Sequence, residues 1–115
     1  MDIDVKPKGA VSVVRVRGRI VDGDPANLLQ DALRKLVRAQ HVKTVFDLEG
    51  VTYLDSLAIG ILVSHYVSVS QLGGGIVLLK ADSKVEALMK MTRLSDRFGW
   101  ALELDEAIAH FDGGR

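Results

Sequence analysis

Short β-branched runs alternate with helix-patterned segments along this chain, and that alternation restricts the fold more than any other feature. Two β-type runs come first, around Ile3 to Val5 and Val11 to Val16, and the turn-forming residues Pro7-Lys8-Gly9 between them predict an N-terminal hairpin. The later elements follow in the order α-β-α-β-α-β-α. Because such alternation favours right-handed crossovers between parallel strands, the sequence predicts an α/β fold with a mixed, mostly parallel sheet and about four α-helices.

The first helix has a clear start signal. After a predicted loop at 18–23, Asp24 followed by Pro25 indicates a capping carboxylate and a proline at the first helical position. Apolar residues then recur at helical spacing, and the pattern ends near Ala39-Gln40; these residues are Leu28, Leu29, Ala32, Leu33, Leu36 and Val37.

The remaining elements are predicted from apolar runs and their boundaries. In chain order they are a central strand over 42–48, a helix over 57–72 closed by Gly73-Gly74-Gly75, a strand over 76–79, a helix capped by Asp82 or Ser83 and carrying Val85, Leu88, Met89 and Thr92, a short strand over 100–102, and a last helix capped by Asp105-Glu106.

The size and composition predict one domain with an aliphatic core. The chain has 115 residues, of which 48% are hydrophobic and 5% aromatic, and no linker or repeat divides it. We expect a single domain over residues 1–112 and a frayed tail at 113–115.

Charge and cysteine content exclude several classes of partner and site. Fifteen basic and fifteen acidic residues give a net charge of zero, so nucleic acid is not an expected partner. The absence of cysteine excludes disulfides and thiolate metal sites. No apolar run is long enough to insert into a membrane, and the acidic N-terminus lacks the pattern of a secretory signal. These features predict a cytoplasmic protein.

The segment from Val51 to Leu62 contains the main candidate site. It is predicted to leave a strand as a loop and to enter a helix at Asp55-Ser56. Both side chains are good helix caps, which is the ordinary explanation for them. A serine at this point is also a candidate for phosphorylation, because a helix N-terminus attracts anions. Phosphorylation would add a charge of about −1.5 to −2 beside Asp55.

The residues offer little for catalysis or metal binding. Asp47 follows a strand as the phosphorylated aspartate of a receiver domain does, but the neighbouring loops are mostly basic, so we expect a loop-shaping or exposed acid. His65 lies roughly 13 Å along the same helix from Ser56, too far for a hydrolase pair. His41, His65 and His110 have no metal-ligand spacing and are expected at the surface or partly buried. We therefore expect no enzyme activity, no metal and no cofactor.

Several of these motifs resemble the STAS domain family, whose simplest members are the anti-sigma factor antagonists. The resemblance spans Gly18 to Val21, Val45 to Ser56, Gly73 to Leu78 and Met91 to Phe98, and Leu54-Asp55-Ser56 with Gly60 is its most specific part. It implies that an anti-sigma factor with serine kinase activity binds the unmodified chain and phosphorylates Ser56 with its own ATP and Mg²⁺, which breaks the complex. The implied partner-binding residues are Asp22, Asp24, Tyr53, Leu54, Asp55, Ser56, Leu57, Ala58 and Ile59.

Two positions depart from the usual family pattern, which has Ser or Thr and then Gly after the acceptor serine. Here Leu57 and Ala58 follow it, so the helix start is expected to be stiffer, and the Ala58 methyl is expected to stand where a kinase approaches the backbone. Ile20 is also not followed directly by an acid.

The alternative function is that of a scaffold subunit of a sensory or lipid-transport assembly, without phosphorylation. A ligand sensor would need a pocket with a set of polar groups, which the sequence does not show. The oligomeric state, monomer or weak dimer, stays open.

Overall fold

The computed structural model describes residues 1–91, 93 and 95–112. In that part of the chain, five strands form one sheet in the order β1-β2-β3-β4-β5. Strand β1 is antiparallel to β2, and the other neighbours are parallel. The predicted α/β fold, with its N-terminal hairpin and mixed, mostly parallel sheet, is confirmed. The strands are β1 (Asp2–Lys8), β2 (Val11–Ile20), β3 (Lys43–Leu54), β4 (Gly75–Leu79) and β5 (Gly99–Ala101).

Four α-helices are seen within the described residues: α1 (Asp24–Arg38), α2 (Ser56–Gln71), α3 (Ser83–Lys90) and α4 (Leu104–Asp112). A 3₁₀ turn covers Ser95–Arg97. Asp82 and Ser83 were the alternative caps predicted for α3, and Asp82 has this role, because its Oδ1 accepts from the Val85 N–H at 2.9 Å. Thr92, predicted to belong to the third helix, and the predicted frayed tail at 113–115 lie outside the described residues.

The helices cover the two faces of the sheet unequally. Helices α1, α2 and α3 pack on one face against side chains such as Phe46 and Leu78. Helix α4 packs on the other face through Ala107, against a smaller cluster that includes Val45 and Val77. Because successive side chains of a strand point to opposite faces, one nearly continuous apolar run in β3 supplies both cores.

The hairpin turn lies one step further along the chain than predicted. Strand β1 stays paired to β2 through Lys8 and Val11, so Gly9 and Ala10 form the turn and Pro7 belongs to the strand. Gly9 has a φ of 61°, which suits a two-residue turn. Pro7 is tolerated because β1 is an edge strand, where a missing N–H need not break the sheet.

The cap predicted for α1 is wrong by one residue. Gly23 occupies the N-cap position with a φ of 99°, and no side chain caps this helix. A positive φ of that size favours glycine over any side chain. Asp24 is therefore the first helical residue, where its charge still faces the positive end of the helix dipole.

Strands β2 and β3 are both longer than predicted. Strand β3 continues to Leu54, paired with Ile20 at the end of β2, and two register shifts along this pairing insert extra residues in β3. The predicted loop at 51–54 is therefore strand. Val51, Thr52 and Tyr53 are residue types that favour strands, so the error lay in giving too little weight to local propensity.

Asp47 was expected to shape a loop or to be exposed, and the second of these alternatives is wrong. It is 5% exposed, and its Oδ2 accepts from Arg15 Nε at 3.1 Å. Its Oδ1 accepts from the Glu49 N–H at 3.1 Å. This second hydrogen bond lies at the first register shift between β2 and β3, where β3 contains an extra residue. Asp47 therefore does shape the local backbone.

His65 is buried as well, although it was expected at the surface or only partly buried. Its side chain on α2 is 4% exposed, and Thr44 beneath it is fully buried. Thr44 Oγ1 and His65 Nε2 lie 3.0 Å apart and share a hydrogen bond. Burial lowers the pKa of His65 to about 4, because an imidazolium there would lose its hydration.

We expect acid to destabilise this protein partly through His65. The unfolded chain takes up a proton near the ordinary pKa of 6.5, whereas the folded chain does so only near 4. The contribution of neutral His65 to the free energy of unfolding is therefore fully present above pH 6.5 and is lost as the pH falls toward 4. Between pH 7 and 4.5 the wild type should lose about 2 kcal/mol more than a His65→Gln variant. Urea unfolding at the two pH values measures this difference, and equal losses in both proteins would contradict the assignment.

Candidate functional site

The candidate site forms where β3 ends and α2 begins. Asp55 is the N-cap of α2, with an extended backbone and a side-chain Oδ1 that accepts from the Ala58 N–H at 2.9 Å. The predicted capping role is thus carried by Asp55. Ser56 is the first residue inside the helix, so its hydroxyl stands in the first turn, where the dipole is most positive.

Asp55 also fastens a second loop to this helix start. Its Oδ2 accepts from the Asp22 N–H at 2.8 Å, and its own N–H donates to the Ile20 carbonyl at 3.2 Å. The Ala58 N–H, with help from that of Asp22, holds the pKa of the Asp55 carboxyl below its usual value. One ionised side chain therefore links the β2–α1 loop to the start of the helix that carries Ser56.

Ser56 is exposed to solvent. Asp22 and Asp24, on the loop that Asp55 fastens, are exposed as well. The serine is therefore within reach of another protein, with acidic side chains on the adjoining loop. An added phosphate would be stabilised by the helix dipole and would increase the negative charge of this surface.

Tyr53 and Leu57 give the surface its apolar part. Their side chains are 48% and 45% exposed. The guanidinium carbon of Arg19, on the neighbouring strand, lies 4.9 Å from the centre of the Tyr53 ring, which restrains that ring. Large exposed apolar groups beside polar ones are typical of protein-binding surfaces. Ile59 is partly buried.

Two residues of the predicted docking set do not face outward. Leu54 is 3% exposed and Ala58 is fully buried, so neither side chain is available to a partner. The Ala58 methyl points into the core, and the obstruction expected from it does not arise. Five residues of that set are exposed, and Gly60, which was not predicted to belong to it, is exposed one turn further along α2. We call these six residues the acceptor surface: Asp22, Asp24, Tyr53, Ser56, Leu57 and Gly60.

The described residues offer little for metal binding or for catalysis at Ser56. No group of three His, Asp or Glu side chains that could hold a metal ion is found among the residues that the structure describes. His65 is engaged with Thr44 in the core, away from Ser56. Within the described ranges, no helix has both the length and the apolar character needed to cross a membrane.

The fold and the site define a class of protein: an α/β domain that offers a serine at the start of the helix following its central strand. The STAS domain profile matches residues 2–107, which is nearly the whole chain. The chain therefore belongs to the STAS domain family.

Solved structures with this fold include several anti-sigma factor antagonists. One from Mycobacterium paratuberculosis is 28% identical, with a TM-score of 0.76 over 94% of this chain and 91% of that one. Phosphorylated SpoIIAA from Bacillus is 15% identical, with a TM-score of 0.78 over 99% and 100%. A Thermotoga maritima protein assigned to the same class is 20% identical, with a TM-score of 0.80 over 94% and 92%. The last two similarities concern the fold alone.

Proposed function

We propose that this chain is a non-enzymatic switch that binds an anti-sigma factor through the acceptor surface and is released when that partner phosphorylates Ser56. The observation that carries the proposal is the exposed hydroxyl of Ser56 in the first turn of α2. The partner supplies the ATP, the Mg²⁺ and the kinase active site. Because ATP and sigma factors are cytoplasmic, the exchange takes place in the cytoplasm.

Charge explains how the phosphate would release the partner. The unmodified surface combines acidic loop residues with the apolar side chains of Tyr53 and Leu57. A phosphate on Ser56 adds about −1.5 to −2 to this area. A partner that buries these apolar groups would have to desolvate that charge, which costs more than an apolar contact returns. The complex would separate while the fold of the switch stays intact.

Gly60 supports a close docking contact with the backbone of α2 beside Ser56. It lies four residues after Ser56 and so on the same face of α2. A Cβ at Gly60 would meet no heavy atom within 4 Å outside its own helix backbone. The fold therefore gives no steric reason for a glycine here, although glycine in a helix costs about 1 kcal/mol relative to alanine. Access for a partner to the helix backbone beside Ser56 would explain it.

Variants at Gly60 separate stability from binding. We expect Gly60→Ala to raise the free energy of unfolding by about 1 kcal/mol. Gly60→Leu should keep the fold but weaken partner binding at least about tenfold, because the larger side chain covers the approach to Ser56. Thermal unfolding and titration calorimetry give the two quantities. Wild-type affinity in Gly60→Leu would contradict a docking contact at this position.

The experiment that tests the proposed function uses the partner as the kinase. The chain is incubated with its cognate anti-sigma factor, ATP and Mg²⁺, and its intact mass is measured. We expect one added phosphate in the wild type and none in Ser56→Ala. A chain that binds the partner yet gains no phosphate would favour the scaffold function and overturn the switch.

A further inference from the structure

A groove between α1 and α2 lies outside the acceptor surface. It encloses about 420 Å³, which is within the usual range for small-molecule sites. Leu33, Ile61 and His65 are buried and form its floor. Apart from the partly buried Val37, the side chains that rise around it are polar or charged. These rim residues include Gln30, Arg34, Arg38, Ser64 and Ser68.

Two uncompensated positive charges line this groove. Arg34 and Arg38 stand one turn apart on α1, and both are exposed. Neither makes an ion pair with any residue of the described chain. Two guanidinium groups on one wall are well suited to a dianion, because each can donate paired hydrogen bonds to phosphate oxygens.

The His65 ring is the polar group on the floor of the groove. Its Nε2 shares a hydrogen bond with Thr44. Its Nδ1 has no hydrogen-bond partner among the described residues and is not completely buried. The ring borders the groove, so Nδ1 is the nitrogen left to interact with a ligand. A hydrogen-bonded pair in a core contributes little net stability compared with an apolar pair of the same shape, so packing alone does not explain a histidine at this position.

We propose that this groove binds a phosphate monoester that carries a compact apolar group. The phosphate would lie against Arg34 and Arg38, and the apolar group would cover Leu33 and Ile61. The polar set comes from two helices that are far apart in the sequence, which is why no pocket was expected from the sequence. The proposal is independent of Ser56, which lies about 12 Å along α2 from Ser64 at 1.5 Å per residue.

The test uses phenyl phosphate as the probe and benzyl alcohol, a neutral aromatic alcohol, as the uncharged control. In ¹⁵N-HSQC titrations we expect phenyl phosphate to shift the amides around Arg34, Arg38 and Ser64, with saturation below about 1 mM. The imidazole ¹⁵N signals of His65 should move in the same titration. Benzyl alcohol should bind at least tenfold more weakly.

Variants that replace arginine or lysine by glutamine test whether Arg34 and Arg38 bind the phosphate. The double variant Arg34→Gln/Arg38→Gln should bind phenyl phosphate at least tenfold more weakly, with an unchanged HSQC pattern elsewhere. Lys35→Gln removes one charge from the same helix outside the groove and should bind like the wild type. Ser56→Ala should also bind normally, so that loss of the switch function would leave this result unaffected.

Three results would overturn the proposal. They are the absence of shifts around the groove, equal binding of benzyl alcohol, and unchanged affinity in the double arginine variant.

Discussion

A Ser56→Glu variant should bind the anti-sigma partner at least tenfold more weakly than the wild type, a loss of at least about 1.4 kcal/mol. The glutamate places a permanent negative charge in the first turn of α2, beside the loop that carries Asp22 and Asp24. A partner that covers this surface must then desolvate the new charge. The helix itself should tolerate or favour the charge, because it faces the positive end of the dipole. Titration calorimetry gives the affinity, and thermal unfolding should show an equal or slightly higher midpoint.

A matched variant at the other end of the helix controls for net charge. Gln71→Glu adds one negative charge at an exposed position of α2, about 22 Å along the helix from Ser56. It should leave partner affinity within about twofold of the wild type. Ser56→Ala should also bind normally, since it removes the hydroxyl without adding charge. An equal loss in Ser56→Glu and Gln71→Glu would show that net charge, and not position, controls binding.

Gly74→Ala should cause the largest loss of stability among the single substitutions considered. The new Cβ would overlap the Val42 carbonyl oxygen and lie 2.7 Å from the Val42 carbonyl carbon. That oxygen accepts from the Gly75 N–H at 3.0 Å, next to the first pairing of β3 with β4. The backbone must separate here, so we expect a loss of about 3 kcal/mol or more in the free energy of unfolding. Urea unfolding measures it.

Gly73 is the control for that prediction. It ends α2 with a φ of 84°, and a Cβ there would meet nothing within 4 Å. The Gly73 N–H donates to Ser70 and the Gly74 N–H to Val69, which is the usual pattern of a glycine-terminated helix. Gly73→Ala should therefore cost only the backbone strain, roughly 1–2 kcal/mol. A cost in Gly74→Ala no greater than in Gly73→Ala would contradict the steric explanation.

The order of strands and helices could be predicted because it depends on patterns within single segments. The apolar spacing of α1 and the triple glycine after α2 are both local signals, and both predicted elements are present. The N-cap of α1 was missed for a physical reason. Aspartate is the commoner cap by propensity, but the backbone entering α1 has a positive φ at Gly23, and the sequence does not show that angle.

Burial of polar residues was less predictable, because it depends on partners distant in the sequence. Asp47 is buried against Arg15 of the neighbouring strand, and His65 is buried against Thr44. Each residue on its own has the character of a surface group. The groove beside α1 is missed for the same reason, since Arg34 and Ser64 belong to different helices.

The local geometry at the start of α2 was predicted well at Asp55 and Ser56 and less well at the residues around them. Capping at Asp55 follows from local chemistry and is present. The bond from Asp22 to Asp55 joins segments 33 residues apart, so the sequence indicated two docking segments without indicating their link. The burial of Leu54 and Ala58 follows from the alternating direction of side chains at the end of β3 and in the first turn of α2. That direction could be assigned only once β3 was known to reach Leu54.

The most direct test compares one preparation of this chain with and without phosphate on Ser56. The partner kinase phosphorylates the chain, the product is purified, and its affinity for the partner is measured before and after treatment with a phosphatase. We predict at least a tenfold loss of affinity on phosphorylation and full recovery after the phosphate is removed. Equal affinity in the two forms, or a phosphate found on a residue other than Ser56, would contradict the account.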